Sequence, residues 1–260
     1  MGTITKALEL LNYFARQKPE IGLTEFVRLV DRDKATVHRH LTELTENGFL
    51  EQNPVTRAYR LGPSILRLSG VREATHPVRS VLRPVVSEIA NAVGELTHVS
   101  LIHGDVLSPA LHADPMTHGT QVAFDESEML PLHATSSGLA VLAFAPEGMA
   151  RRILKGPLDR YADGTITTAS TLQAMLDEVR ERGTASQDRA FDNEVCSQAA
   201  PIFGPDGEVT GAVAIAFPTV RDSDEKRADV RAALCDGMAR ITHQLGGVVP
   251  PEHADKWSGA

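Results

Sequence analysis

The chain has 260 residues, with 26 Lys and Arg against 34 Asp and Glu and a net charge of −8. That length exceeds the roughly 100–200 residues of one domain and predicts two. No apolar run approaches the about 20 residues of a membrane span, and no signal-peptide segment is read at the N-terminus. Cys196 and Cys235, the two cysteines, form no disulfide framework, so a cytoplasmic protein is expected. Charge divides along the chain. Residues 1–85 carry 13 basic and 9 acidic side chains, a balance of +4, while residues 86–260 carry 13 and 25, a balance of −12. The basic part suits a polyanion and the acidic part repels one.

The first predicted element is a helix over residues 3–17, with Ala7, Leu8, Leu11, Phe14 and Ala15 inward. A short helix over residues 23–30 follows, with Thr24 as its N-cap. Asp31-Arg32 is a turn, and Asp33 caps the next helix. In the stretch from Asp33 to Leu44, Val37, Leu41 and Leu44 form one apolar stripe. Arg39 points away from it, Ala35 and Thr42 flank it, and Thr36 and His38 sit at its edges. Small residues let a backbone come close, and Arg can contact a guanine edge bidentately in the major groove. Asn47-Gly48 stops this helix. Strands over residues 49–53 and 58–61, joined by Pro54-Val55-Thr56-Arg57, make a β-hairpin. Two helices with a tight turn and a hairpin predict a winged helix-turn-helix, with Arg57 and Arg60 placed to reach phosphates.

Beyond Gly62-Pro63-Ser64, a helix over about residues 65–74 is broken at Thr75-His76-Pro77. A longer helix carries Val78, Val81, Leu82, Val85, Ile89 and Val93 on one face. The remainder mixes strands and helices. Gly104-Asp105 joins strands 97–103 and 106–113, and Asp206-Gly207 joins strands 197–203 and 209–217. Helices are predicted over 133–144, over 170–182 with Ser170 as cap, and over 223–245. Residues 248–260 read as a loosely ordered tail.

Several strings, in this order, resemble the isocitrate lyase regulator (IclR) family of bacterial transcription factors. They are Lys34-Ala35-Thr36-Val37-His38-Arg39, Tyr59-Arg60-Leu61-Gly62, Leu130-Pro131-Leu132-His133-Ala134-Thr135, and Ala199-Ala200-Pro201-Ile202-Phe203 followed by Asp206-Gly207. Each string is modestly specific, whereas their joint order is highly specific. The resemblance extends from Ile4 to about Gly246. It implies an α+β protein: a winged helix-turn-helix over residues 1–62, a linker helix over 63–76 and a GAF-like α/β effector-binding domain over 77–247. It also implies a homodimer or dimer of dimers (a homotetramer) on double-stranded operator DNA, acting as repressor or activator. Two recognition helices one DNA turn apart, roughly 34 Å, read a longer site than one. The DNA-binding set expected is Lys34, Ala35, Thr36, His38, Arg39, Thr42, Arg57 and Tyr59.

The resemblance further implies that the segment from Leu130 to Gly138, with backbone groups at Ser136 and Ser137, holds a small carboxylate at a helix N-terminus. A polar contact comes from Gln187-Asp188. Cys is common in the family at Ser197, here preceded by Cys196. Two late-strand serines of the family's small-acid binders are replaced by Ala214 and Ala216. Losing two hydroxyl donors, each worth roughly 0.5–1.5 kcal/mol, favours a larger or aromatic carboxylate over glyoxylate or pyruvate. The expected effector set is Leu130, Ser136, Ser137, Asp188, Cys196, Ser197, Ala214 and Ala216. Asp31 and Leu139 depart from a frequent Gly and Lys.

Alternatives stay open from the residues alone. Cys196, Ser197, His133 and Asp188 contain the groups of a nucleophile, base and orienter, which would make a small-molecule-processing enzyme. A helix-turn-helix that packs on protein rather than DNA is another. His103, His112, His118 and His133 lack metal-ligand spacing. The reading adopted has no catalytic residues, no metal and no cofactor.

Overall fold

The computed structural model describes residues 2–15 and 17–257. The chain divides into two compact units, Met1–Pro77 and Val78–Ala260.

The first unit starts with α1 (Thr3–Leu8), continued by a tighter 3-10 turn over Glu9–Tyr13. The expected helix over 3–17 therefore ends early, and its predicted passage through Arg16 lies outside the described residues. Three residues per turn rotate the inward face. Leu10 and Phe14 are buried, and Leu8, expected inward, is 47% exposed. Helices α2 (Leu23–Val30) and α3 (Lys34–Glu46) follow. Thr24 is not the α2 cap, because that helix already begins at Leu23, with Gly22 at the N-cap. The cause lies upstream. Ile21 exchanges two backbone hydrogen bonds with Tyr59, so the chain leaves an extended bridge and turns at Gly22. Asp31 adopts the left-handed conformation at φ 47°, which a short polar side chain tolerates. Asp33 accepts from the Thr36 N–H at 2.9 Å, as expected of a cap.

The wing pairs β1 (Leu50–Gln52) with β2 (Tyr59–Leu61), antiparallel. Leu10, Phe14, Ile21, Phe26, Val37, Leu41, Leu44, Leu50 and Tyr59 form one core. Helix α4 (Pro63–Thr75) buries none of its residues, and Leu66 is 78% exposed.

The second unit opens with α5 (Val78–Val93), which buries Leu82, Val85, Val86, Ile89 and Ala90. Strands β3 (Leu96–His103) and β4 (Val106–Ala113) form the expected hairpin. Then come β5 (Leu130–Pro131), α6 (Ser136–Phe144), α7 (Glu147–Lys155), α8 (Ala169–Arg182), β6 (Ala185–Asp188), β7 (Val195–Phe203), β8 (Val209–Pro218) and α9 (Asp224–Gln244). Six strands make one antiparallel sheet in the order β5-β4-β3-β8-β7-β6. Helices α5 and α9 pack on strands of this sheet and on each other. Helix α6 packs on β7, β8 and β6, and on α8. The architecture expected from sequence is the one found.

Helix α6 is buried on nearly every side, which its small residues permit. A Cβ at Gly138 would lie 2.3 Å from the Leu132 carbonyl oxygen, so only glycine lets the helix approach that segment. The expected start at residue 133 is three residues early, because Thr135 is the N-cap. Its Oγ1 accepts from the Gly138 N–H at 3.0 Å and donates to the Pro131 carbonyl at 2.9 Å. Likewise Thr168, not Ser170, caps α8.

The tail is a correction. Trp257 is 9% exposed, contacts the Phe144 and Phe203 rings, and its Nε1 donates to the Gly183 carbonyl at 2.9 Å. An aromatic of that size outweighs the ordering cost of a short segment. The expected tail residues 258–260 lie outside the described residues. Among the described residues no helix is long and apolar enough to cross a membrane.

Candidate functional site

Two places carry candidate chemistry. The first is the outward face of α3. Val37, Leu41 and Leu44 are buried, which leaves Lys34, Ala35, His38 and Arg39 exposed and Thr36 and Thr42 half-buried. The Thr42 hydroxyl donates to the His38 carbonyl at 3.0 Å. His40 instead faces the core, with both ring nitrogens buried and without a hydrogen-bond partner among the described residues. Burial first, then Arg39, Arg32 and Lys6, push its pKa down, so the ring is neutral.

At the wing, Arg57 is exposed at φ 60°. Arg60 is committed elsewhere, its Nε on Glu51 and its NH1 3.8 Å from Glu20. Tyr59, expected on DNA, is a correction. It is 4% exposed, and its ring packs edge-on against Phe26 at 6.5 Å. The bridge to Ile21 turns this residue inward.

The second place is a cavity of about 270 Å³ in the second unit. It combines the start of α6, the ends of β6 to β8, and three loops. Of the expected effector residues, Leu130, Ser136, Ser137, Ser197 and Ala216 line it. Asp188, Cys196 and Ala214 do not. Strand alternation explains the first two. Gln187 lines the cavity, whereas its neighbour Asp188 pairs with Arg227 of α9 at 2.8 Å. Cys196 is the register partner of Asp188 and shares its face, while Ser197 is paired with Gln187. Ala214 lies two residues before Ala216 on β8 and is fully buried in the core.

The α6 N-terminus offers backbone N–H groups of Ser136 and Ser137, which lack intrahelical partners. Gln187 on β6 is 7% exposed, and its Nε2 has no hydrogen-bond partner among the described residues. An unpaired buried amide donor is costly and calls for an acceptor. His98 lines the same space, stacked 4.6 Å from Phe124, with Nδ1 3.2 Å from the Ser100 Oγ. Burial, then His112, push its pKa down to about 3, so it carries no charge near neutrality.

Phe124, Tyr161 and Phe191 add aromatic surface, and Asp125, Glu128 and Asp192 add carboxylates. Neither the loop residues nor His98 were expected. His98 had a weak signal, an imidazole in a strand that is buried from Leu96 to Ser100. The loops had none, since loops carry no periodicity.

The nucleophile, base and orienter of the enzyme alternative do not assemble. The His133 Nε2 is 2.9 Å from the Asp159 carbonyl oxygen. Cys196 is on the opposite strand face from Ser197, and burial, then Asp188 and Asp222, push its thiol up to about 11. Of the four histidines in the metal alternative, His112 pairs with Glu126 at 2.8 Å and His133 contacts that carbonyl.

The family profile described as "Bacterial transcriptional regulator IclR C-terminal" matches residues 73–243, and "IclR helix-turn-helix domain" matches residues 3–54. A crystal structure described as an IclR transcriptional regulator, from Silicibacter sp. TM1040, is 42% identical, with a TM-score of 0.90 over 96% of this chain and 99% of that one. The HTH-type transcriptional regulator BhcR of Paracoccus denitrificans is 28% identical over 96% of this chain and 88% of its own length. An IclR homologue from Microbacterium hydrocarbonoxydans, solved as a complex with 4-hydroxybenzoate, has a TM-score of 0.74 over 94% of this chain and 99% of that one, at 22% identity. With a helix-turn-helix in its first unit, an α/β second unit, and both family profiles matched, the chain belongs to the IclR family of bacterial transcriptional regulators.

Proposed function

We propose that this regulator reads its operator through Lys34, Ala35, Thr36, His38, Arg39 and Thr42 of α3 and reaches phosphate with Arg57 of the wing. A small carboxylate in the second unit's cavity controls the affinity. The observation that carries the effector reading is the unpaired Gln187 amide at 7% exposure in the cavity that the α6 N-terminus also lines. A helix N-terminus favours an anion, and the amide supplies a further donor. The replacement of serine by Ala216 in the lining, with Phe124, Tyr161 and Phe191 nearby, favours an aromatic or larger acid. The 4-hydroxybenzoate complex of the Microbacterium relative supports the same class.

The protein acts as a homodimer or dimer of dimers in the cytoplasm. The exposed apolar side chains Ile4, Leu8, Leu66, Leu68 and Val71 on α1 and α4 supply a face for a second copy. Effector and operator are coupled because the effector binds two arrangements of the dimer with different affinity. No turnover accompanies binding, since the Cys196 thiol is held protonated and lies on the strand face opposite to Ser197.

Fluorescence anisotropy tests the DNA half. Purified protein is titrated onto labelled DNA from its own upstream region at two salt concentrations. Binding should be tight and weaken steeply with salt, as phosphate contacts require. Salt-independent binding, or none above nonspecific DNA, counts against the assignment and favours a protein-binding winged helix.

A further inference from the structure

We propose that the effector is a zwitterion, a carboxylate that also carries an ammonium or quaternary ammonium group, rather than a simple anion. This rests on the reading of the cavity as the effector site. The α6 N-terminus, Ser197 and the unpaired, 7% exposed Gln187 amide provide for the carboxylate. The remaining wall has the opposite character. Asp125, Glu128 and Asp192 line it, and no Lys or Arg does among the described residues.

These carboxylates lie close enough to affect one another. Burial, then Asp125 and Asp192, hold the Glu128 carboxyl above its ordinary range. Glu128 and Tyr161 line the same cavity. Tyr161 in turn stands 5.3 Å from Phe191, ring to ring. Carboxylates with aromatic faces are the surroundings that bind an alkylammonium, through charge attraction and cation–π contact. His98 cannot offset the negative charge, being neutral. An effector bearing only a carboxylate would bring a fourth negative charge into this wall. A cationic group on the same molecule converts that repulsion into attraction.

Isothermal titration of the full chain with matched pairs tests this. Glycine betaine is compared with tert-butylacetate, its isostere with carbon in place of nitrogen, and p-aminomethylbenzoate with p-ethylbenzoate. The zwitterion of a pair should bind at least about tenfold more tightly. The double change Glu128→Gln with Asp192→Asn should remove that preference. Ala216→Trp should abolish binding of both members, with Ser197→Phe filling the space from the neighbouring strand if the first variant does not fold.

Equal or tighter binding of the isosteres that lack the cationic group, abolished by the filling variants, overturns the zwitterion inference and leaves the effector site intact. Binding that survives the filling variants, or no binding by any of the four compounds, overturns the effector site and the inference together.

Discussion

Acidification should destabilise the second unit through His98, and the size of the effect follows from its surroundings. The imidazole is buried between Phe124 and the sheet, opposite His112 in the β3–β4 register, and His112 is bound to Glu126. Its pKa falls from 6.5 to about 3. The folded value lies below the unfolded one, so the unfolded chain takes up the proton first. Stability contributed by the neutral ring is present above pH 6.5 and is lost as the pH falls below it. At about 1.36 kcal/mol per pH unit, moving from pH 7 to pH 5 costs about 2 kcal/mol at this residue. Urea unfolding followed by Trp257, the single tryptophan, reports on this unit. The comparison is between the wild type and His98→Gln, because the chain holds nine other histidines and only the difference isolates this one. The wild type should lose about 2 kcal/mol more than the variant between pH 7 and pH 5. Equal losses would mean that His98 is protonated without penalty, and the neutral, desolvated ring would have to be abandoned.

Three further expectations concern single side chains. Trp257→Ala should lower the stability of the second unit by about 3 kcal/mol in denaturant followed by circular dichroism, since an indole buried against two phenyl rings is removed. An unchanged midpoint would restore the loosely ordered tail. Glu95→Ala should cost about 3 kcal/mol by Trp257 fluorescence, because the Glu95 side chain is 1% exposed and ion-paired to Arg221 and Lys226. That is the low end for a buried pair, as Arg221 and Lys226 keep about a fifth of their surface in water; a stability loss near zero would show that water replaces the carboxylate. Arg39→Ala should weaken operator binding by about 1–3 kcal/mol and relax selectivity at one base position; an unchanged footprint would remove α3 from the interface.

The two units differ in how openly the chain declares them. The α3 stripe of Val37, Leu41 and Leu44, the Asp33 cap and the wing turn are local features, and local features survive into the structure. Tyr59 departs from the expected DNA contact because its placement depends on Ile21, a partner 38 residues away that no periodicity reveals. Thr24 lost its capping role to the same bridge. In the cavity, Ser136 and Ser137 were legible as a helix start. Asp188 and Cys196 were not separable from Gln187 and Ser197, because a strand presents alternate residues to opposite faces and only the register decides which face meets the ligand. The acidic and aromatic wall comes mostly from loops, whose positions are set by tertiary contacts.

The central claim is that occupancy of the cavity changes operator affinity. The direct measurement is the Kd for labelled operator DNA, by anisotropy, with and without a saturating carboxylate whose binding is removed by Ala216→Trp. The account predicts a shift of about fivefold or more in the wild type, none in the variant, and the same factor in the ligand's Kd when operator is bound. An operator Kd that is identical with the cavity empty and full would contradict it.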